Sequence, residues 1–391
     1  SSRDYLVAWT DNRAGHTDVY AQRFSAAGAA VGGATLVASG TSNQMLAGLV
    51  YNTATNEYLL SWTDDRLGYN TLEAGRLTAL NAKVGTDLTI SNTPGALSGG
   101  AVATNGTNDY IVAWADARTG APGIFTRRVT SAGASGGTAV AVASGAGYEY
   151  NAPKLAYSAT ASGFLLVYDR RDATTGAADV YGVKLTGAGA ASAAPFAVTT
   201  AAGDQLLPAV TTNTSDGMFL VAWTDGRDGS EDLDIYAKVY TGPGAVHLND
   251  FVVSNQASVQ AVPVITFDST KKHFLIAWQD GRSHATQGYD LYAQRTMGVP
   301  MTAQDASDEL LEEFINVIST TSGGAGGAQS QLENAIDKLA DGKGTNAINH
   351  LENFISKLPG LVSNNVITAA EAVQLEALAQ NVINQIRAGN Y

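Results

Sequence analysis

The sequence predicts a mainly β fold, one sheet unit repeated six times, followed by a small helical bundle. Three observations carry this. First, an apolar run leading into Trp-x-Asp-x-Arg recurs through the first 300 residues. Its copies are YLVAWTDNR (Tyr5 to Arg13), YLLSWTDDR (Tyr58 to Arg66), YIVAWADAR (Tyr110 to Arg118), FLLVYDRRD (Phe164 to Asp172), FLVAWTDGR (Phe219 to Arg227) and FLIAWQDGR (Phe274 to Arg282). Second, the motif tryptophans 9, 62, 114, 223 and 278 recur about every 54 residues, counting two units between 114 and 223, without helical periodicity. Third, near Met301 the apolar period changes from 2 to 3.6.

Each full unit predicts four strands. In the fifth they are LLPAVTTN (Leu206 to Asn213), FLVAWTD (Phe219 to Asp225), DIYAKVYT (Asp234 to Thr241) and DFVVSN (Asp250 to Asn255). All are short, alternating and rich in β-branched and aromatic residues, and Gly, Asn, Asp and Ser separate them as hairpins require. A single four-stranded sheet cannot bury both faces, whereas copies stacked around an axis bury one another. This predicts a six-bladed β-propeller over residues 1–300. A flat sandwich does not predict one motif at constant period. Copy one lacks its first strand and copy six its fourth, so 22 strands are expected. Such unfilled edges are templates for pairing, which makes self-assembly an expectation. The abrupt start, with no secretion signal before Ser1, suggests a processed or truncated first residue.

The helical segment 301–391 begins with a helix from Asp305 through Thr320, then a Gly-rich hinge (Ser322 to Gly327). A second helix spans Gln329–Ala340. A third runs from Thr345 to Leu358, ended by Pro359-Gly360. The Thr368-Ala-Ala-Glu371 capping box starts a fourth, ending near Arg387. Four amphipathic helices make a small bundle. It holds 11 acids and four bases, so it is more acidic per residue than the repeats.

The net charge is −13, with 23 basic residues scattered among 391, which argues against nucleic acid as a partner. There is no cysteine, which excludes disulfides and thiolate metal sites. No apolar stretch approaches the roughly 20 residues of a membrane span.

The motif residues read as scaffold. Trp9, Trp62, Trp114, Trp223 and Trp278 suit packing between blades. Asp11, Asp64, Asp116, Asp169, Asp225 and Asp280 are followed two residues later by Arg13, Arg66, Arg118, Arg171, Arg227 and Arg282. A carboxylate and guanidinium at a strand end suit a bidentate turn-holding pair. One active site needs one residue in each role, not six copies around a ring. In the fourth copy Tyr168 or Val167 stands where the others have Trp. The third strands carry Asp-[Val/Ile/Leu]-Tyr at Asp18, Asp179, Asp234 and Asp290.

These motifs resemble the Trp-x-Asp-x-Arg … Asp-Ile-Tyr-Ala-Gln-Arg tandem repeats of secreted bacterial and archaeal surface proteins. The resemblance implies a propeller in an extracellular or cell-surface setting and no particular reaction. Residues 329–388 resemble the FIMAH/FIVAR-like helical module at the carboxyl ends of secreted prokaryotic proteins. That implies an accessory domain for attachment or partner binding.

Chemistry is sparse. The loop from Asp225 to Asp234 offers Asp225, Asp228, Glu231, Asp232 and Asp234 as oxygen ligands for Ca²⁺, the one cofactor the residues suggest, although its spacing departs from an EF-hand. His16, His247, His273, His284 and His350 lack ligand spacing, and no Gly-x-Ser-x-Gly occurs. Glycosidase chemistry needs two facing carboxylates, and 36 acids nominate no particular pair. The expectation is therefore a non-catalytic extracellular scaffold that binds a protein partner or assembles on a cell surface or filament. The alternative is a carbohydrate-binding or carbohydrate-active propeller, a glycosidase or lyase, engaging a surface glycan.

Overall fold

The structure is a computed structural model. It describes residues 4–13, 15–94, 97–107, 109–117, 122–241, 245–270, 272–282, 288–296, 307, 310–311, 314–315, 317–318 and 325–387. Two compact units emerge, Ser1–Arg295 and Thr296–Tyr391. The boundary expected at 300/301 falls outside the described residues.

The first unit is a six-bladed β-propeller of antiparallel sheets, each in chain order. Blade one holds β1 (Tyr5–Asp11), β2 (Asp18–Phe24) and β3 (Ala30–Ala38). Blade two holds β4 (Gln44–Asn52), β5 (Glu57–Asp64), β6 (Thr71–Thr78) and β7 (Lys83–Ser91). Blade three holds β8 (Leu97–Thr104), β9 (Asp109–Asp116), β10 (Gly123–Thr130) and β11 (Val140–Ser144). Blade four holds β12 (Tyr148–Ser158), β13 (Gly163–Asp172), β14 (Ala178–Thr186) and β15 (Phe196–Thr199). Blade five holds β16 (Gln205–Thr212), β17 (Phe219–Asp225), β18 (Asp234–Tyr240) and β19 (Val246–Ser254). Blade six holds β20 (Gln260–Asp268), β21 (His273–Asp280) and β22 (Asp290–Thr296). The first and last sheets have three strands each and the others four, as the repeat grammar predicts.

In blades two to five the second strand is apolar on both faces because both faces are covered. In β17 Phe219, Val221 and Trp223 pack against Leu165 and Val167 of blade four. Leu220 and Ala222 point the other way, against Phe274, Ile276 and Trp278 of blade six. Five such clusters join successive blades. Burying one large apolar side chain contributes about 1.5–3 kcal/mol, so these joints dominate the stability of the ring.

Each inner strand, from β4 to β20, shifts register against its neighbour near its start. The bulge places Ala152, Leu207 and Val262 at φ of 46, 52 and 57°. Prolines follow at 153, 208 and 263, where no N–H is lost from the ladder. These five inner strands line one central cavity of about 370 Å³.

The second unit packs α1 (Gly326–Ala340), α2 (Gly344–Ser363) and α3 (Ala369–Arg387) around Leu332, Leu351, Phe354 and Val382. Of the helix expected at 305–320, the described residues are helical, and Leu310 and Phe314 are fully buried in this core. Phe314 meets Phe354 edge-on at 5.2 Å. The expected capping box forms: Glu371 accepts from the Thr368 amide at 2.6 Å and donates its own amide to Thr368 Oγ1 at 3.2 Å. The expected stop at Pro359 does not occur. The helix runs through Pro359 to Ser363, with Leu358 and Leu361 buried on either side of it. Tertiary burial offsets the lost hydrogen bond and ring clash of an interior proline.

Candidate functional site

The Trp-x-Asp-x-Arg residues form a repeated joint. Trp9, Trp114, Trp223 and Trp278 donate Nε1–H to the aspartate two residues on, at 3.1, 3.3, 2.7 and 3.0 Å. The carboxylate then takes the turn. Asp225 accepts from the backbone N, Nε and Nη2 of Arg227 at 2.9, 2.9 and 2.7 Å. Asp280 holds Arg282, Asp64 holds Arg66 and Asp11 holds Arg13 in the same way. Burial would raise the Asp280 and Asp64 pKa, yet the arginine bonds leave both below the ordinary carboxylate range. Arg118 lies outside the described residues.

A feature missed in the sequence completes the joint. Arg13, Arg227 and Arg282 lie over Tyr20, Tyr236 and Tyr292 at 5.3, 3.7 and 4.0 Å. The third-strand tyrosine is the shelf for the motif arginine, a cation–π contact. The signal was the co-occurrence of the two motifs. In blade two, Glu73 stands opposite Trp62 instead.

The fourth copy departs from the expected Asp169–Arg171 pair. Tyr168 faces Tyr181 as Trp223 faces Tyr236, so Tyr168 takes the tryptophan place. Arg170 then occupies the motif aspartate position. Its guanidinium sits between Tyr148 and Tyr181, at 4.1 and 3.8 Å. Asp169 instead accepts from the Leu207 amide of blade five at 3.3 Å, and Arg171 turns to Asp204 at 2.9 Å. Standing one residue after the aromatic instead of two, Asp169 lies on the opposite face of the strand. There it does what Thr10 does for Leu46 N and Thr224 for Val262 N, capping the bulge amide of the next blade.

The acidic loop of blade five does not converge. Among the described residues no group of three or more His, Asp or Glu is placed to hold a metal. Asp225 faces Trp223 and Arg227, and Asp232 accepts from the Ser258 amide at 2.9 Å. Asp234 is pushed up to about 7, first by burial and then by its hydrogen bond to Asp228. Of the histidines, His16 lies 3.4 Å from Asp18 and His350 3.0 Å from Gln331, while His284 is outside the described residues.

Two concavities of the propeller are lined by residues of facing blades. The central cavity is lined by small and aliphatic residues, with Lys154 as its charged group. Burial lowers the Lys154 pKa. The second is a cleft of about 280 Å³ between blades three and four, lined by Leu97, Ser98, Ala115, Asp116, Ala117, Pro122, Glu149, Tyr150 and Asn151. Its origin is local. Where blades one and five carry Thr10 and Thr224 to cap the next bulge, blade three has Ala115, too short to fill the joint or make that bond. Asp116 is buried and bonded to Trp114, while Glu149 is exposed. Burial raises the Tyr150 pKa, keeping it a neutral hydrogen-bond donor. The lining thus includes two acids, a tyrosine, an asparagine and a serine, but the Asp116 carboxyl is turned to Trp114 and the Asn151 side chain to Asp169. Of these, sequence reasoning singled out Asp116, as scaffold.

No protein-family model matches the chain. No curated protein matches it either. Among solved structures it is similar to an endo-arabinase from Bacteroides thetaiotaomicron, at 13% identity and a TM-score of 0.39, over 64% of this chain and 93% of that one. It is also similar to a thermostable family-43 glycoside hydrolase, at 10% identity and a TM-score of 0.41, over 68% and 95%. A third is a family PL25 ulvan lyase, at 7% identity and a TM-score of 0.48, over 75% and 78%. Identities this low speak to the fold alone. The neighbours are carbohydrate-active enzymes and not the non-catalytic scaffolds expected, which is the class of the alternative reading. The repeat-protein and helical-module resemblances gain no match.

Proposed function

We propose that this protein is a carbohydrate-active propeller whose cleft between blades three and four takes a sugar unit of an extracellular polysaccharide. One observation carries the reading: Asp116 and Glu149 line one open cleft together with Ser98, Tyr150 and Asn151. Its size is near the lower end of small-ligand sites, roughly 300 Å³. Hydroxyl-rich ligands need paired donors and acceptors, and the cleft supplies both.

In this reading Glu149, at the exposed side, transfers the proton. Asp116, held by Trp114 as in the other joints, fixes the end of the strand that forms the cleft wall. Tyr150 orients hydroxyls. The cleft, not the central cavity, is the site, because acid–base chemistry on a sugar needs carboxylates and the central lining presents aliphatic groups and one lysine. An extracellular setting is part of the proposal, supported by a chain without cysteine and by the nature of the substrate. No described helix is long and apolar enough to cross a membrane.

The test is a panel of neutral and acidic polysaccharides, read by reducing ends and by product mass, which separates hydrolysis from elimination. Glu149→Gln is expected to lower turnover by roughly 10²–10⁴-fold while preserving binding. Neither binding nor turnover across the panel would end the reading. Turnover indifferent to Glu149→Gln would move the site elsewhere.

A further inference from the structure

At the aspartate place of the repeated joint, blade four reverses the charge. In blades one, two, five and six that place holds an aspartate bonded to the arginine two residues on. In blade three it holds Asp116, bonded to Trp114. In blade four it holds the guanidinium of Arg170, and no acid compensates it: Arg170 makes no ion pair among the described residues. Asp179 opposes Arg170 across the β13–β14 ladder without reaching ion-pair distance, and burial raises its pKa, which favours the neutral form.

Aromatic groups hold Arg170 instead. Tyr148 and Tyr181 lie against the guanidinium at 4.1 and 3.8 Å, and Nη2 donates to the Tyr181 hydroxyl. Nε and Nη1 make no hydrogen bond among the described residues, and neither is sealed from solvent. The rings therefore fix the plane of the cation and leave part of its edge open.

The location connects this cation to the cleft. Arg170 directly opposes Tyr150 in the β12–β13 ladder. Tyr168, two residues before it, has its ring 5.7 Å from that of Tyr150. This face of blade four packs on blade three through Ile111, Ala113 and Ala115. Tyr150 lines the cleft together with Glu149 and Asn151. Opposed residues in an antiparallel ladder have Cβ atoms about 5 Å apart, so the guanidinium stands beside the cleft lining. The cleft and the reversed charge belong to the same joint.

We propose that Arg170 is the acid-recognising subsite of this cleft, and that the sugar unit bound there is anionic, a uronate or a sulfate ester. The inference rests on the reading of the cleft as a saccharide site. A guanidinium has five N–H groups, and Tyr181 takes one of them. The rest lie in one plane and match the oxygens of a carboxylate or sulfate. Held by two rings, the side chain has little rotamer freedom left to lose on binding. The net charge of −13 opposes non-specific attraction of a polyanion, so a preference for acidic polymers would be specific.

The test measures binding to matched polymers by calorimetry and affinity electrophoresis. Polygalacturonate, alginate and glucuronoxylan are each compared with their carboxyl-reduced forms, and carrageenan with its desulfated form. The expected result is an acidic polymer bound at least about tenfold more tightly than its neutral form, the two arms telling carboxylate from sulfate. Arg170→Gln should remove that margin. Arg171→Gln is the same charge change at a residue paired with Asp204 at 2.9 Å, and should keep it. Near-ultraviolet circular dichroism checks the folding of each variant. If Arg170→Gln does not fold, Arg170→Lys, which keeps the charge without the planar edge, should lose most of the margin. Equal binding of acidic and neutral forms, or binding of neutral forms alone, overturns the inference and leaves the saccharide reading of the cleft standing. A margin that survives the loss of Arg170 also overturns it. Binding of no polymer, acidic or neutral, ends both.

Discussion

Replacing Asp225 by alanine removes the acceptor for four hydrogen bonds at once. One donor is Trp223 Nε1 at 2.7 Å, on a fully buried ring, and three come from Arg227. The indole N–H is left in the joint between blades without a partner, which costs about 1–3 kcal/mol. The Arg227 guanidinium is a quarter exposed and has Asp250 at 3.5 Å, so it recovers water and a weaker partner. Its loss adds about 1 kcal/mol. The expected destabilisation is about 2–4 kcal/mol, measured by equilibrium urea unfolding followed by tryptophan fluorescence. Asp225→Asn keeps an acceptor for the indole and should recover about half. Asp11→Ala is the internal control. The side chain of Arg13 is 68% exposed and Tyr5 and Val7 on the same strand are exposed as well, so the loss there should be clearly smaller. If Asp225→Ala unfolds within about 0.5 kcal/mol of the parent, the motif is not a structural joint, and its sixfold repetition needs another explanation.

Arg170→Ala should cost about 1–3 kcal/mol by emptying the slot between Tyr148 and Tyr181, and Arg170→Lys should restore only part, since an ammonium lacks the planar face. Urea unfolding with near-ultraviolet circular dichroism reads both. The Asp228–Asp234 pair makes stability pH-dependent. The folded Asp234 pKa is about 7 against an ordinary 3.8, so its contribution is full below about pH 4 and is lost as pH rises through 7. Asp234→Asn should flatten that slope and stabilise the protein at pH 8, and a slope unchanged by the substitution would refute the shared proton. Lys154→Met should raise the urea midpoint at neutral pH by removing an amine that burial in the central cavity disfavours, and a lower midpoint would show that the charge is paired.

Periodicity made the propeller legible before any coordinates. Alternation along FLVAWTD, Asp-Gly and Asn-Gly turn chemistry, and a constant period are local properties of the chain, so 22 strands and the two short sheets could be counted from them. Register was not local. Whether Asp169 or Arg170 stands at the aspartate place of the fourth copy depends on a one-residue slip, and only pairing with Tyr181 and Val180 shows it. The helix continuing through Pro359 likewise reflects the burial of Leu358 and Leu361, which overrides intrinsic propensity.

The candidate site was almost invisible in the sequence. Glu149 and Tyr150 belong to the inner strand of blade four, Asp116 and Ala115 to the second strand of blade three. About thirty positions separate them along the chain. The sequence by itself determined the repeated unit and the recurring joint of Trp, Asp and Arg. Only the tertiary structure decided which joint stays open as a cleft. The reason is physical: a joint is made of two blades, and its contents follow from which side chains are too small, or absent, on facing surfaces that no local pattern brings together.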